Sequence, residues 1–143
     1  MTPRALIAEV FVRVLYVVLL LASLWILVRG HNLPGGGFIG GLLAVSASAA
    51  YALAFGASRA LQRLPLGPAR LAAGGVLLAL LSGLPALLQG GTFLHHRWLM
   101  LSLGSLEVAL STVMLFDFGV YLCVWGALGG YCLLLIGAIE EAS

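Results

Sequence analysis

From Val14 to Val28 the chain carries no charged residue, and three further apolar stretches of similar or greater length follow it. Roughly 20 mostly apolar residues in a row suffice to cross the hydrocarbon core of a bilayer as a helix. Lipid offers no partner to backbone N–H and C=O groups, so a spanning segment must satisfy them internally, and the α-helix does so within one segment. The expected spans are 11–28, 38–57, 71–88 and 107–139, which makes the chain an all-α membrane protein with about four transmembrane helices. One domain over residues 1–143 is expected, with no separate soluble part. The last stretch is the longest, broken only by Glu107 and Asp117, and an interfacial segment near Trp98 to Leu106 is expected to lead into it.

Composition agrees. Hydrophobic residues make up 62% of the chain and charged residues 8%, whereas a soluble domain is about one quarter charged. Nothing is left over to cover a water-facing surface. The formal net charge of +2 is small and scattered, which gives nucleic acid no electrostatic footprint. Arg4 ahead of an apolar run has the outline of a signal peptide, but no small-residue cleavage site follows it, so the segment is expected to remain as a span. Cys123 and Cys132 lie nine residues apart in one apolar segment and are expected on opposite helix faces, unable to bridge each other.

Orientation follows from the basic residues, all of which are arginine. Arg4, Arg13, Arg59, Arg63 and Arg70 fall on one side of the expected spans, Arg29 and Arg97 on the other. Positively charged loops stay in the cytoplasm, so both termini are expected there. Small residues recur every four positions along the second span, at Gly36, Gly40, Ala44, Ser48, Ala52 and Gly56. Gly75, Ala79 and Gly83 continue the habit in the third, and Gly126 and Gly130 in the fourth. Such stripes let helix backbones approach closely in lipid, where no hydrophobic force draws helices together.

Two stretches could carry chemistry. Gly30-His31-Asn32-Leu33-Pro34-Gly35-Gly36-Gly37-Phe38-Ile39-Gly40-Gly41 places proline, a good first-turn residue, before three glycines that are poor helix formers. A loop entering the membrane through a loosely wound first turn is expected. His31 and Asn32 are placed to cap that helix or to handle a cation or proton at its mouth. The other stretch is Leu115-Phe116-Asp117-Phe118-Gly119-Val120. An Asp at the centre of a membrane helix costs about 2.5–3.5 kcal/mol on insertion, so such a residue faces protein or water and marks a functional site by default. The competing expectation is that Asp117 caps a helical piece starting at Phe118. Glu107 is expected near the outer start of the same span. Glu9 and Arg13 are spaced for an i, i+4 ion pair. His95, His96 and Arg97 are consecutive and lack metal-ligand spacing; a solvated loop is expected there. No nucleophile–base set stands out, so neither an enzyme nor a cofactor is expected.

These two motifs, together with the four-span layout, resemble the B subunit of Mrp-type (Mnh-type) multisubunit cation/proton antiporters. The family's G-H-N-x-P-G-G-G-F pattern matches Gly30 to Phe38 residue for residue, and its second motif matches at Phe116, Asp117, Gly119 and Val120. The resemblance implies a small accessory subunit in the plasma membrane of a prokaryote. Its partners would be the other subunits of an antiporter that exchanges Na⁺ for H⁺. The candidate residues for the ion path or a subunit interface are then Asp117, His31, Asn32, Pro34, Gly35, Gly36, Gly37, Phe38 and Glu107. The larger A and D subunits of such complexes resemble the proton pumps of respiratory complex I; this chain has no lysine and no series of membrane acids, and is expected not to pump alone. A related subunit of a membrane-bound hydrogenase-type complex, or a scaffold that only fills a groove and binds lipid, are the alternatives.

Overall fold

The computed structural model describes the backbone of residues 3–30, 36–84, 98–103 and 106–142, and within these the side chains of 7–30, 36–84 and 112–142. In chain order the elements are α1 (Pro3–Arg29), α2 (Gly36–Phe55), α3 (Ala57–Arg63), α4 (Pro68–Leu81), β1 (Trp98–Leu103), β2 (Leu106–Ser111), α5 (Thr112–Val124), a π-helical turn (Trp125–Gly129) and α6 (Gly130–Ala142). Among the described residues four helical stretches are long and apolar enough to cross a membrane: Ile7–Arg29, Gly36–Phe55, Ala57–Leu81 and Thr112–Ala142. The fold class is the expected all-α membrane protein.

α2 is central. It packs on α1 along one side and on the α5–α6 helix along the other, and α4 closes against α5 and the π turn. The small-residue stripe explains this position. Gly36, Gly40, Ala44, Ser48 and Ala52 are all buried, and so are Gly37 and Gly41 beside them. A Cβ on Gly36 would fall on the Cα of Gly30, the residue after α1, and one on Gly41 would lie 2.8 Å from Cβ of Val124 in α5. Between α4 and α5 the contact is again backbone on backbone: Gly75 meets the amide of Cys123, and Gly119 lies against Ala79. The interior is correspondingly thin, with Tyr121 and Leu133 its largest fully buried side chains. Leu, Val, Ile and Phe side chains point outward instead; Phe11, Leu21, Trp25, Leu53 and Ile139 are all more than 60% exposed. An apolar outer surface is stable only against lipid or a partner protein.

Four details depart from the sequence expectations. Gly36 and Gly37 are regular α-helix, not a loose first turn, because close approach of α1 and α5 secures them there. Second, Leu106–Ser111 pairs antiparallel with Trp98–Leu103, Trp98 opposite Ser111 and Ser102 opposite Glu107. The lead-in is thus a pair of antiparallel strands, and the fourth helix starts at Thr112, five residues beyond Glu107. The third departure is the helix α3 in the stretch expected to connect the second and third spans; after it Leu66 (φ 63°) and Gly67 (φ 77°) reverse the backbone, and Pro68 starts α4 three residues before the expected span, in the first-turn position that suits it. Fourth, the last helix contains the π turn, which carries one extra residue per turn and brings the Trp125 indole N–H to Ser48 Oγ at 2.9 Å.

The end of the bundle that holds Arg13, Phe55 and Arg63 is tied by charge on aromatic faces. The Arg63 guanidinium lies 4.5 Å from the Tyr51 ring centre and 5.6 Å from that of Tyr16, and Arg13 lies 5.3 Å over Phe55. Arg13 also reaches Glu9 at 3.8 Å, the expected i, i+4 pair. Near the same end Glu140 accepts hydrogen bonds from the Ala57 N–H at 3.2 and 3.3 Å. It thereby satisfies an amide at the start of α3 that no helical carbonyl can reach. Cys123 and Cys132 are free thiols.

Candidate functional site

The opposite end of the bundle brings the two sequence motifs into contact. α1 ends at Arg29, and α2 begins at Gly36 beside it. Gly37 faces the other way, onto α5, where a Cβ would fall on the backbone carbonyl of Asp117. A side chain at position 37 would therefore push α2 and α5 apart.

This contact decides where the Asp117 carboxylate sits. Asp117 lies within α5, five residues after its start, so it does not cap a helical piece beginning at Phe118. Its carboxylate instead interacts with the backbone amide of Gly37. Gly37 is the second residue of α2, and its N–H is one of the amides at a helix start with no carbonyl partner in their own helix. The carboxylate therefore lies at the positive end of the α2 dipole, where a negative charge is typically worth about 0.3–1 kcal/mol. The motif Gly36-Gly37-Phe38 supplies the close approach, and Phe116-Asp117-Phe118 supplies the charge.

The other face of Asp117 borders a cavity of about 310 Å³, lined also by Leu27, Val28, Met114, Leu115 and Phe118. Apart from the carboxylate, these walls are hydrocarbon and thioether. Among the described residues no arginine or histidine forms an ion pair with Asp117. One turn further into the bundle, the Ser23 hydroxyl donates to the Leu20 carbonyl at 2.7 Å. Its oxygen is then free to accept the Tyr121 hydroxyl proton at 2.9 Å, in a fully buried contact. Gly40 makes room for that pair: a Cβ there would lie 2.8 Å from the Ser23 carbonyl and 3.2 Å from the Tyr121 ring.

The expected site residues thus divide. Asp117, Gly36 and Gly37 come together, with Phe38 half exposed on the same first turn of α2. Glu107 lies on β2, in a separate element. His31, Asn32, Pro34 and Gly35 fall outside the described residues. Tyr121 and Trp125 join the site although neither is among the sequence candidates; they follow Asp117 at four and eight positions, the spacing of one helix face, and that spacing is the signal that could find them. Among the described residues no three His, Cys, Asp or Glu side chains converge as metal ligands.

Residues 7–130 match the family described as "Domain related to MnhB subunit of Na+/H+ antiporter". The chain is 36% identical over 122 residues to the B subunit of the Na(+)/H(+) antiporter of Bacillus subtilis (strain 168), covering 85% of each chain. It is 36% identical over 115 residues to the corresponding antiporter subunit of Alkalihalophilus pseudofirmus, covering 80% of each. Among solved structures, the Mrp complex from Dietzia sp. DQ12-45-1b contains the same fold, with a TM-score of 0.75 at 33% identity over 94% of this chain. There the matching region is 14% of a longer chain.

Proposed function

Because this chain belongs to the MnhB family of Na⁺/H⁺ antiporter subunits, we propose that Asp117 contributes its charge to the cation path of the assembled complex. The chain itself is a multi-pass cell-membrane protein and an accessory subunit of a multisubunit antiporter, and its partners are the other subunits of an Mrp-type complex. The proposal rests on one observation. Asp117 is an acidic side chain in the interior of a described span, held against a helix N-terminus with a cavity on its open side. A carboxylate in that setting attracts a cation and needs no catalytic partner.

A single carboxylate is too little for exchange by this subunit alone. Purified and placed in liposomes, it is expected to move neither Na⁺ nor H⁺ under an imposed gradient, whereas deleting its gene is expected to abolish antiport by the whole complex. Vigorous exchange by the isolated chain, measured with a pH-sensitive dye, would make it an independent carrier and end the proposal.

We further propose that both termini are cytoplasmic, so that the Asp117 end of the bundle faces outward. Five arginines against two support this orientation. A cysteine introduced beside His96, after Cys123 and Cys132 are replaced, should react with an impermeant thiol reagent in intact cells. Labelling confined to inverted vesicles would reverse the orientation.

A further inference from the structure

We infer that the cavity beside Asp117 is a docking slot for a lysine carried by a transmembrane helix of another subunit of the complex. The inference rests on the reading of Asp117 as a working charge, and adds what balances that charge in the assembly. An ionised carboxylate against hydrocarbon is unstable without a counter-charge, and membrane acids pair with a basic group or line water. Among the described residues this chain offers Asp117 the Gly37 amide and no basic group.

The walls identify the occupant. A dehydrated metal cation needs several oxygen ligands; the hard cations Ca²⁺ and Mg²⁺ take about six or more. Among the described residues the cavity offers one carboxylate beside Leu27, Val28, Met114, Leu115 and Phe118, which do not complete a coordination shell. An apolar slot with one acid at its end matches a side chain whose stem is hydrocarbon and whose tip is charged. Lysine fits better than arginine. Guanidinium is broad and carries its donors in a fixed planar fork, whereas an ammonium is a compact point charge on a slender hydrocarbon stem, which suits one acid at the end of an apolar slot. The slot opens at the outward apolar face of α1 and α5, where Leu115 and Phe118 are 40% and 41% exposed. A partner helix lying on this face would enter it directly. A cation on its way past Asp117 then competes with this lysine for the carboxylate.

The test uses the whole complex. Leu115, or Phe118 in a second variant, is replaced by photoreactive p-benzoylphenylalanine; the complex is purified and irradiated, and the adduct is mapped by mass spectrometry. The expected adduct lies on a membrane helix of another subunit, within one turn of a lysine. Asp117→Lys should then reduce recovery of this chain in the complex about tenfold or more, because two like charges meet in the slot. Changing the mapped lysine to Asp in that background should restore recovery. Adducts only on lipid or on residues 31–35 of this chain, no adduct, a partner helix without lysine, or failure of the double reversal would each overturn the slot. Transport by Asp117→Asn is a separate readout. Loss of antiport there without the lysine adduct leaves the charge reading standing and removes the slot, and an active Asn variant with the adduct does the reverse.

Discussion

Gly37→Val should remove this chain from the assembled complex. A Cβ at position 37 falls on the Asp117 carbonyl, and valine adds two more methyl groups to it. The obstacle is backbone in the middle of α5, so no side-chain rotation relieves the clash; α2 and α5 must separate. Overpacking a well-packed interior typically costs about 1–3 kcal/mol, and this case belongs at or above the top of that range. Separation would also withdraw the Gly37 amide from Asp117 and expose two polar groups to lipid. The abundance of this chain in the purified complex should fall about tenfold or more. Gly36→Val should act similarly through Gly30. Gly74→Val is the control: nothing lies within 4 Å of a Cβ at that position, so abundance should not change. An immunoblot for this chain, normalised to a fixed partner, decides the matter. Equal abundance for the Gly37 and Gly74 variants would mean that α2 and α5 do not touch as described.

Much of this arrangement is legible in the sequence, because lipid leaves the chain few options. Long apolar stretches force helices, and the four-residue stripe on α2 indicates which face meets its neighbours. The stripe alone does not tell which neighbour each glycine meets. Gly36 meets the end of α1 and Gly37 meets α5, a division set by the roughly 100° between successive helical residues and by where the partners stand. The paired strands Trp98–Leu103 and Leu106–Ser111 are hidden in the sequence because the apolar continuity of the region reads as helix. The π turn has no signature beyond its glycines, since it arises from the register in which Trp125 reaches Ser48. The role of Asp117 at the start of α2 is likewise a product of tertiary contact. From its own helix the residue reads as a cap for Phe118 or as a free acid. Its partner is the start of another helix, which local sequence does not encode.

That geometry separates charge from shape at Asp117 and sets the second large effect. Asp117→Asn retains an oxygen that can accept from the Gly37 amide, and asparagine is also a good capping residue, so the α2–α5 contact should survive. The negative charge disappears. A unit charge a few ångströms from a passing cation is worth about 1–4 kcal/mol between aqueous and surface-like dielectrics. Antiport should therefore fall about tenfold or more, or demand correspondingly more Na⁺ for half-maximal rate. Asp117→Glu keeps the charge on a longer arm and should retain part of the activity. Asp117→Leu loses charge and acceptor together; it should lower abundance as well, on the scale of a lost helix cap, about 1 kcal/mol. A purely structural role gives the opposite ordering, with Asn silent and only Leu impaired.

The deciding measurement is the initial rate of Na⁺-driven proton movement in everted membrane vesicles, for wild type and Asp117→Asn, normalised to the amount of assembled complex. The charge on the cation path predicts a rate per assembled complex reduced about tenfold or more. A normal rate at normal assembly would contradict it and leave Asp117 as the residue that fastens α5 to the start of α2.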